Sequence, residues 1–106
     1  MSRRAPHTFD CLAAMRALGE PSRMRIVRQL LDGPHSVNEL CEALSLTTYN
    51  VSRHLNVLKT AGLVQVEPQA QQRIYELADD FQQRLARNNR VLDLGCCQFD
   101  FSKMPA

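Results

Sequence analysis

The alternation of apolar and polar positions is clearest in residues 46–66, LTTYNVSRHLNVLKTAGLVQV. Val51, Leu55 and Leu58 recur at spacings of four and three, as the buried face of a helix does. Gly62 follows the last turn, where a glycine commonly ends a helix. The pattern predicts a short amphipathic helix, and then the start of a strand.

The opposite face of this helix carries hydrogen-bond donors and cations. Its members are Thr48, Tyr49, Ser52, Arg53, Asn56 and Lys59. A short helix with one apolar side and one donor-rich side fits the major groove of DNA. The same pattern would also suit a solvated amphipathic helix in an ordinary bundle, so this stretch alone leaves both interpretations open.

Three further helices are predicted upstream. The first spans Phe9–Leu18, and the second spans Ser22–Asp32 with a proline in its first turn. The third starts at Ser36, which forms a capping box with Glu39. A short turn then leads to the donor-rich helix, giving a helix-turn-helix layout. The apolar positions assigned to the first helix, which Thr8 would cap, are Phe9, Leu12, Ala13, Met15 and Leu18.

Two short strands, about Val64–Glu67 and Arg73–Leu77, are predicted to form a polar hairpin after the donor-rich helix. A fifth helix is predicted over Asp79–Arg87. Residues 88–106 alternate apolar and polar positions, which predicts an extended tail that lies across its own subunit or a dimer mate. With a flexible start at residues 1–7, the chain is expected to be one mainly α domain with a small β-hairpin wing.

Two stretches resemble the ArsR family of winged helix-turn-helix repressors. Residues 46–64, LTTYNVSRHLNVLKTAGLV, are similar to the family's recognition helix, and Ala17–Leu31, ALGEPSRMRIVRQLL, to its second-helix signature. Both matches lie at the family's separation, and the resemblance covers about Phe9–Leu77. It implies a homodimer that represses transcription from an inverted repeat in double-stranded operator DNA, with half-sites about one helical turn or a multiple apart.

The expected DNA contacts fall into two groups. Those expected to face bases are Thr48, Tyr49, Asn50, Ser52 and Arg53. Those expected to contact the DNA backbone are Thr47, His54 and Lys59, together with Gln71, Gln72 or Arg73 on the wing.

Composition narrows the function classes only slightly. The net charge of +2 is too small to indicate a nucleic-acid partner by itself. Residues 1–33 are more basic, because they contain six arginines and three acidic residues. No apolar run is long enough to span a membrane and no signal peptide is visible, so a cytoplasmic protein is expected. No nucleophile–histidine arrangement or glycine-rich phosphate loop is present, so an enzyme is not expected.

The cysteines carry the candidate chemistry. In a reducing compartment, four cysteines suggest ligands or sensors rather than a disulfide framework. Cys96 and Cys97 make a poor disulfide with each other, because adjacent Cα atoms lie about 3.8 Å apart and disulfides need ~4.4–6.8 Å. Gly95 permits a kink that would turn both thiols to one side as a soft chelate, which suits trivalent arsenic. Both cysteines could instead be small apolar residues of the tail.

The family resemblance sharpens this choice. Some members bind metal through Cys-x-Cys in the third helix, where this chain has only Cys41, and others use a histidine on the last helix, whereas no histidine follows His54. Members with a C-terminal cysteine pair sense trivalent arsenicals. The resemblance therefore implies Cys96 and Cys97 as ligands, with Cys11 as a candidate third thiolate and arsenite or methylarsenite as inducer. No resident cofactor is expected.

Two alternatives remain at this point. In the first, the chain is a redox- or reactive-sulfur-sensing repressor in which Cys11 joins Cys96 or Cys97. In the second, the winged helix binds protein and the cysteines are merely buried.

Overall fold

The computed structural model describes residues 10–69 and 72–103. Its helices are α1 (Cys11–Leu18), α2 (Pro21–Leu30), α3 (Val37–Leu44), α4 (Thr48–Thr60) and α5 (Asp79–Arg87). Its strands are β1 (His35–Ser36), β2 (Val64–Gln69), β3 (Gln72–Leu77), β4 (Val91–Asp93) and β5 (Gln98–Asp100), and a 3-10 turn follows at Phe101–Lys103. None of the helices within these two ranges has the length and apolarity needed to cross a bilayer.

The sheet next to α4 has three antiparallel strands in the order β1-β3-β2. Val66 pairs with Tyr75 in the β2–β3 hairpin, and Ser36 of β1 pairs with Ile74 on the other side of β3. The predicted wing is therefore confirmed, as is the mainly α fold. Strand β1 escaped prediction because two residues are too few to show a periodicity. The predicted contact of Gln71 lies outside the described residues.

Side-chain caps fix the starts of the two helices of the helix-turn-helix. The backbone N–H of Glu39 donates to Ser36 Oγ at 3.1 Å, and the N–H of Ser36 donates to Glu39 Oε1 at 2.8 Å. This is the predicted capping box, with both reciprocal bonds made. At the start of α4, Asn50 N–H donates to Thr47 Oγ1 at 3.1 Å. Ser45 takes the left-handed conformation, with φ of 57°, and so turns the chain between the two helices.

Helix α1 differs from its prediction. It begins at Cys11, and the side chain of Asp10 caps it by accepting from Leu12 N–H at 3.2 Å. Thr8 and Phe9, which were assigned to the cap and the apolar face, lie outside the described residues. Leu18 is buried as predicted, whereas the assignment of Leu12 and Met15 to the buried face was wrong, because they are 58% and 36% exposed. The helix contacts α2 and α4, and its buried residues are Ala14, Ala17 and Leu18. Leu12 and Met15 lie on the side of α1 that is turned away from this packing.

The core is organised around the apolar face of α4. Val51, Leu55 and Leu58 expose none of their surface, which confirms the face read from the sequence. They pack within one cluster to which every helix and strands β2, β3 and β4 contribute. Because α4 is held on this side, its opposite face is left at the surface.

The tail folds back on its own chain. After α5, Asn89 and Arg90 have positive φ angles of 54° and 68°, and this left-handed turn leads into the antiparallel β4–β5 hairpin. Phe101 then enters the core at 1% exposure, with its ring centroid 5.9 Å from that of Phe81 in α5. Within the predicted extended tail, residues 91–93 and 98–100 are strands and residues 101–103 form a 3-10 turn, and this part of the tail packs against its own chain.

Replacing Leu55 with alanine should lower the free energy of unfolding by about 2–5 kcal/mol, the usual cost of truncating a buried leucine. Val57 on the same helix is 40% exposed, so Val57→Ala is the matched control and should change it by about 0.5 kcal/mol or less. Urea unfolding followed by circular dichroism measures both. Equal losses in the two variants would mean that the helix is rotated from the orientation described.

Candidate nucleic-acid interface and cysteine pair

The exposed face of α4 presents the side chains that the sequence assigned to base readout. Thr48, Ser52 and Arg53 are exposed, and Asn50 is half-buried. Tyr49 is 71% exposed, and the guanidinium of Arg53 lies 5.6 Å from the centroid of its ring. This distance allows a cation–π contact, which limits the freedom of two long side chains before any ligand binds. The face therefore offers a cation beside a phenol and two hydroxyls.

A surface notch of about 340 Å³ connects this face to the wing. Thr48 and Ser52 of α4 line one side of the notch, Asn38 at the start of α3 lines another, and Arg73 of β3 lines a third. The structure thus brings Arg73 together with residues of α4 that lie far from it in sequence. Lys59 is exposed near the C-terminal end of the same helix. Thr47 is also exposed, although its hydroxyl already caps α4.

His54 does not belong to this exposed face. Its side chain is only 8% exposed, and its Nδ1 lies 3.3 Å from Nη1 of Arg23 in α2. The expected backbone contact of His54 is therefore corrected: the residue points from α4 towards α2, not towards the surface. Position 54 lies three residues after Val51, so the helical period itself could have assigned it to the buried side.

Arg23 of α2 is held by contacts within the protein. Its Nε donates to Ala17 O at 2.6 Å and its Nη2 donates to Arg16 O at 3.3 Å, so the guanidinium caps the C-terminal end of α1. Its own backbone N–H donates to the carboxylate of Glu20 at 3.0 Å. Sequence periodicity carries no signal for these contacts, because all of the acceptors at the end of α1 are backbone carbonyls.

The pKa of Glu20 reflects the same junction. Partial burial acts to raise this pKa, but the hydrogen bond from Arg23 N–H and the attraction of His54 in its charged form outweigh burial. The pKa of Glu20 therefore lies below its ordinary value, and the carboxylate remains ionised as the cap of α2.

The cysteines are arranged differently from the predicted vicinal chelate. Cys96 at the tip of the β4–β5 hairpin meets Cys11 at the start of α1, sulfur to sulfur, as in a disulfide. Their Cα atoms are 6.3 Å apart, within the ~4.4–6.8 Å that disulfides require. Gly95 has a φ of 92° and supplies the predicted kink, and Leu94 N–H donates to Cys97 O at 2.9 Å to close the turn.

The remaining two cysteines are free and half-buried. Cys97 is next to the joined pair in sequence, whereas Cys41 lies in α3 with its Sγ 3.8 Å from Thr48 Oγ1. Among residues 10–69 and 72–103, no three His, Cys, Asp or Glu side chains converge as a metal site would require. The structure therefore offers one pair of adjacent sulfurs, with a third cysteine as its neighbour along the chain.

Comparisons with known proteins agree with the fold. The family model described as bacterial regulatory protein, arsR family, matches residues 20–66. The HTH-type transcriptional repressor SmtB of Mycobacterium tuberculosis is 43% identical over 65 residues, which are 61% of this chain and 48% of that protein. The structure of HlyU from Vibrio cholerae is 30% identical, covers 81% of this chain and 91% of that one, and has a TM-score of 0.65.

Two further solved structures bear on assembly and thiol state. A homodimeric winged helix-turn-helix DNA-binding domain from Mycobacterium bovis, described as a possible ArsR-family regulator, is 26% identical, with a TM-score of 0.65 over 70% of this chain and 68% of that one. Reduced HlyU from Vibrio cholerae is 31% identical over 72% of this chain and 84% of that one, with a TM-score of 0.62.

The aligned region spans about half the length of SmtB, so the comparison with that repressor concerns one part of it. The curated relatives carry the names of transcriptional repressors or regulators.

The contacts of the His54 and His35 rings predict opposite tautomers for these two histidines at neutral or mildly alkaline pH. Arginine can only donate, so Nδ1 of His54 must accept and its ring proton must lie on Nε2. His35 is the internal control, because its Nδ1 lies 2.8 Å from the carbonyl oxygen of Gly33 and must donate. Long-range ¹H–¹⁵N correlation spectra distinguish the two forms. A proton on Nδ1 of His54 would disprove the contact with Arg23.

Proposed function

Because the chain belongs to the arsR family of bacterial regulatory proteins, we propose that it is a homodimeric repressor that binds an inverted repeat in double-stranded operator DNA. The observation that carries this proposal is the exposed donor-rich face of α4, which the notch joins to Arg73 of the wing. Thr48, Tyr49, Asn50, Ser52 and Arg53 read base edges in the major groove. Thr47, Lys59 and Arg73 contact the phosphate backbone.

The outward side of α1 supports the homodimer. Leu12 and Met15 leave large apolar surfaces in water. Exposed apolar surface of this kind marks an interaction face. Because the relative from Mycobacterium bovis is homodimeric, we propose that a second copy of this chain covers this apolar face.

The cysteines receive the signal in this proposal. A trivalent arsenical bridges the thiolates of Cys11 and Cys96, and Cys97 is the candidate third thiolate for arsenite. Soft thiolates select soft, thiophilic centres, and the contact between Cys11 and Cys96 supports a site within one subunit. The inducer releases the operator because it binds one arrangement of α1 and the hairpin more tightly than the other.

Oxidation is the second candidate signal, and the same contact favours it. Cys11 and Cys96 are close enough to join without any backbone movement. Two thiols would form one disulfide and release two protons, while two electrons would pass to an oxidant such as a peroxide. A relative described as reduced HlyU indicates that redox state distinguishes forms of that protein. Arsenical and oxidant would act on the same two sulfurs.

Replacing Arg53 with alanine should weaken operator binding by about 1–3 kcal/mol per half-site and relax specificity at one base pair, as loss of a bidentate guanine contact does. Lys59→Ala is the contrasting variant. It should weaken binding to all sequences alike and reduce the salt dependence by about one released counterion. Fluorescence anisotropy at several salt concentrations, with operator and scrambled DNA, separates the two effects.

Arg87→Ala, on the exposed side of α5, is the control and should change neither affinity nor specificity. If Arg53→Ala binds operator as wild type does, the assignment of the α4 face to base readout fails. If the wild-type chain binds no DNA at all, a winged helix that binds protein becomes the better interpretation.

Serine substitutions should separate the roles of the cysteines. A serine hydroxyl is a hard, protonated ligand at neutral pH, so Cys11→Ser and Cys96→Ser should each abolish operator release by methylarsenite, which has two positions for thiolates. Cys97→Ser should keep the response to methylarsenite but weaken the response to arsenite, which accepts three. Anisotropy of the prereduced chain on operator DNA, titrated with each arsenical, measures release.

Cys41→Ser is the matched control, because Cys41 lies in α3 beside Thr48 and outside the joined pair. It should respond to both arsenicals as wild type does. Full release of Cys11→Ser by both compounds would remove Cys11 from the site and return the assignment to Cys96 and Cys97. Full release of Cys96→Ser as well would show that neither Cys11 nor Cys96 is required for the response, and would contradict the proposed pair.

A further inference from the structure

Arg23 lies between the helix that carries Cys11 and the recognition helix α4. Its guanidinium holds the carbonyl oxygens of Ala17 and Arg16, the last turn of α1, through Nε and Nη2. The third nitrogen, Nη1, contacts His54 Nδ1 in the middle of α4 at 3.3 Å. One planar side chain thus connects the two helices directly.

The guanidinium of Arg23 is also held in place through the backbone of Arg23 itself. Arg23 lies in the first turn of α2, where its N–H donates to the carboxylate of Glu20, and Ile26 and Val27, one turn further along, are fully buried. The guanidinium donors point in fixed directions within one plane, so they cannot follow a moving acceptor independently. A displacement of the C-terminal end of α1 must therefore either move the guanidinium against His54 or break its bonds to the carbonyls.

Helix α1 is suited to carry such a displacement. It has eight residues, about 12 Å in length, and Cys11 is its first residue while Ala17 is in its last turn. A hydrogen-bonded rod of this size moves as a unit when one end is pulled. The hairpin that holds Cys96 is itself anchored, because Leu92 and Phe101 are buried in the core. Joining or parting Cys11 and Cys96 therefore adds or removes a restraint on the first residue of α1.

We propose that Arg23 is a positioning residue that relays the state of the Cys11–Cys96 pair to the recognition helix through His54. This relay rests on the proposed function, since it gives thiol control of operator binding a physical route. The relay has two states: in one the guanidinium of Arg23 is hydrogen-bonded to the end of α1, and in the other these bonds are broken. Coupling between two distant sites requires an element with two states whose equilibrium both sites shift, and the contacts of Arg23 are such an element in this proposal.

The test compares Arg23→Lys with Arg25→Lys. Arg25 lies on the same helix and also caps a helix end, donating from Nη2 to Leu44 O of α3 at 3.2 Å, but nothing in the described residues links it to α1 or His54. Operator affinity is measured for each chain with the thiols reduced and with Cys11 and Cys96 joined by diamide. The ratio of the two dissociation constants is the coupling, for which about five- to 150-fold is typical.

Wild type and Arg25→Lys should show the same coupling. Arg23→Lys should bind operator in the reduced form within about threefold of wild type, yet lose most of the coupling, because one ammonium cannot hold both helices. Retention of the full ratio by Arg23→Lys would overturn the relay. Wild type with no coupling would overturn the proposed thiol control instead.

A second measurement decides the relay without DNA. The ¹⁵N shifts of the His54 ring are recorded in the reduced and joined forms of the full chain. They should change when the pair joins in wild type and in Arg25→Lys, and stay unchanged in Arg23→Lys. Unchanged His54 shifts in wild type would show that the state of the pair does not reach α4 through this contact, whatever the operator experiment gives.

Discussion

The apolar face of α4 is buried completely, and the rest of the molecule depends on that burial. Burial of Val51, Leu55 and Leu58 fixes the rotation of the helix about its axis. Because these residues face the core, the donor-rich side faces solvent. The capping box at Ser36 and the hydroxyl of Thr47 then set where the two helices of the motif begin. The wing follows from the same packing, because Leu63 and Val64 continue the core directly after α4.

The second constraint is the way the tail closes on α1. A tail anchored by Phe101 against Phe81 places the hairpin tip, and with it Cys96, against the first residue of α1. The proposed sensing needs no preformed metal cage, because its signal is whether two sulfurs from opposite ends of the chain are held together. In the proposed relay, α1 passes this signal on, since Cys11 is its first residue.

Much of this architecture could be predicted from sequence, for reasons that are local. The face of α4, the capping box of Ser36 and Glu39 and the span Asp79–Arg87 depend on spacing and short-range hydrogen bonds, which a single sequence contains. The orientation of α1 could not be predicted, because its packing through Ala14 and Ala17 overrides the apolar character of Leu12 and Met15. A large apolar residue can lie at the surface of one subunit when a second subunit covers it, as in the homodimer that we propose.

The site was predictable in part for the same reason. The exposed residues of α4 and the burial of His54 follow from its period, whereas the contact of His54 with Arg23 depends on where carbonyl oxygens at the end of another helix hold Arg23. The meeting of Cys11 with Cys96 joins residues 85 positions apart, and no pattern along the chain encodes it. Sequence indicated which thiols were candidates, and the fold decided which two are neighbours.

The central claim, that soft thiol chemistry at this pair controls operator binding, is tested most directly by titrating the prereduced chain on its own upstream DNA with arsenite, methylarsenite, antimonite, zinc and cadmium. Anisotropy at fixed salt reports the dissociation constant at each addition. The account predicts tight binding by the reduced chain and release near one equivalent of methylarsenite per chain, with zinc far less effective. An unchanged dissociation constant with all five additions would contradict it.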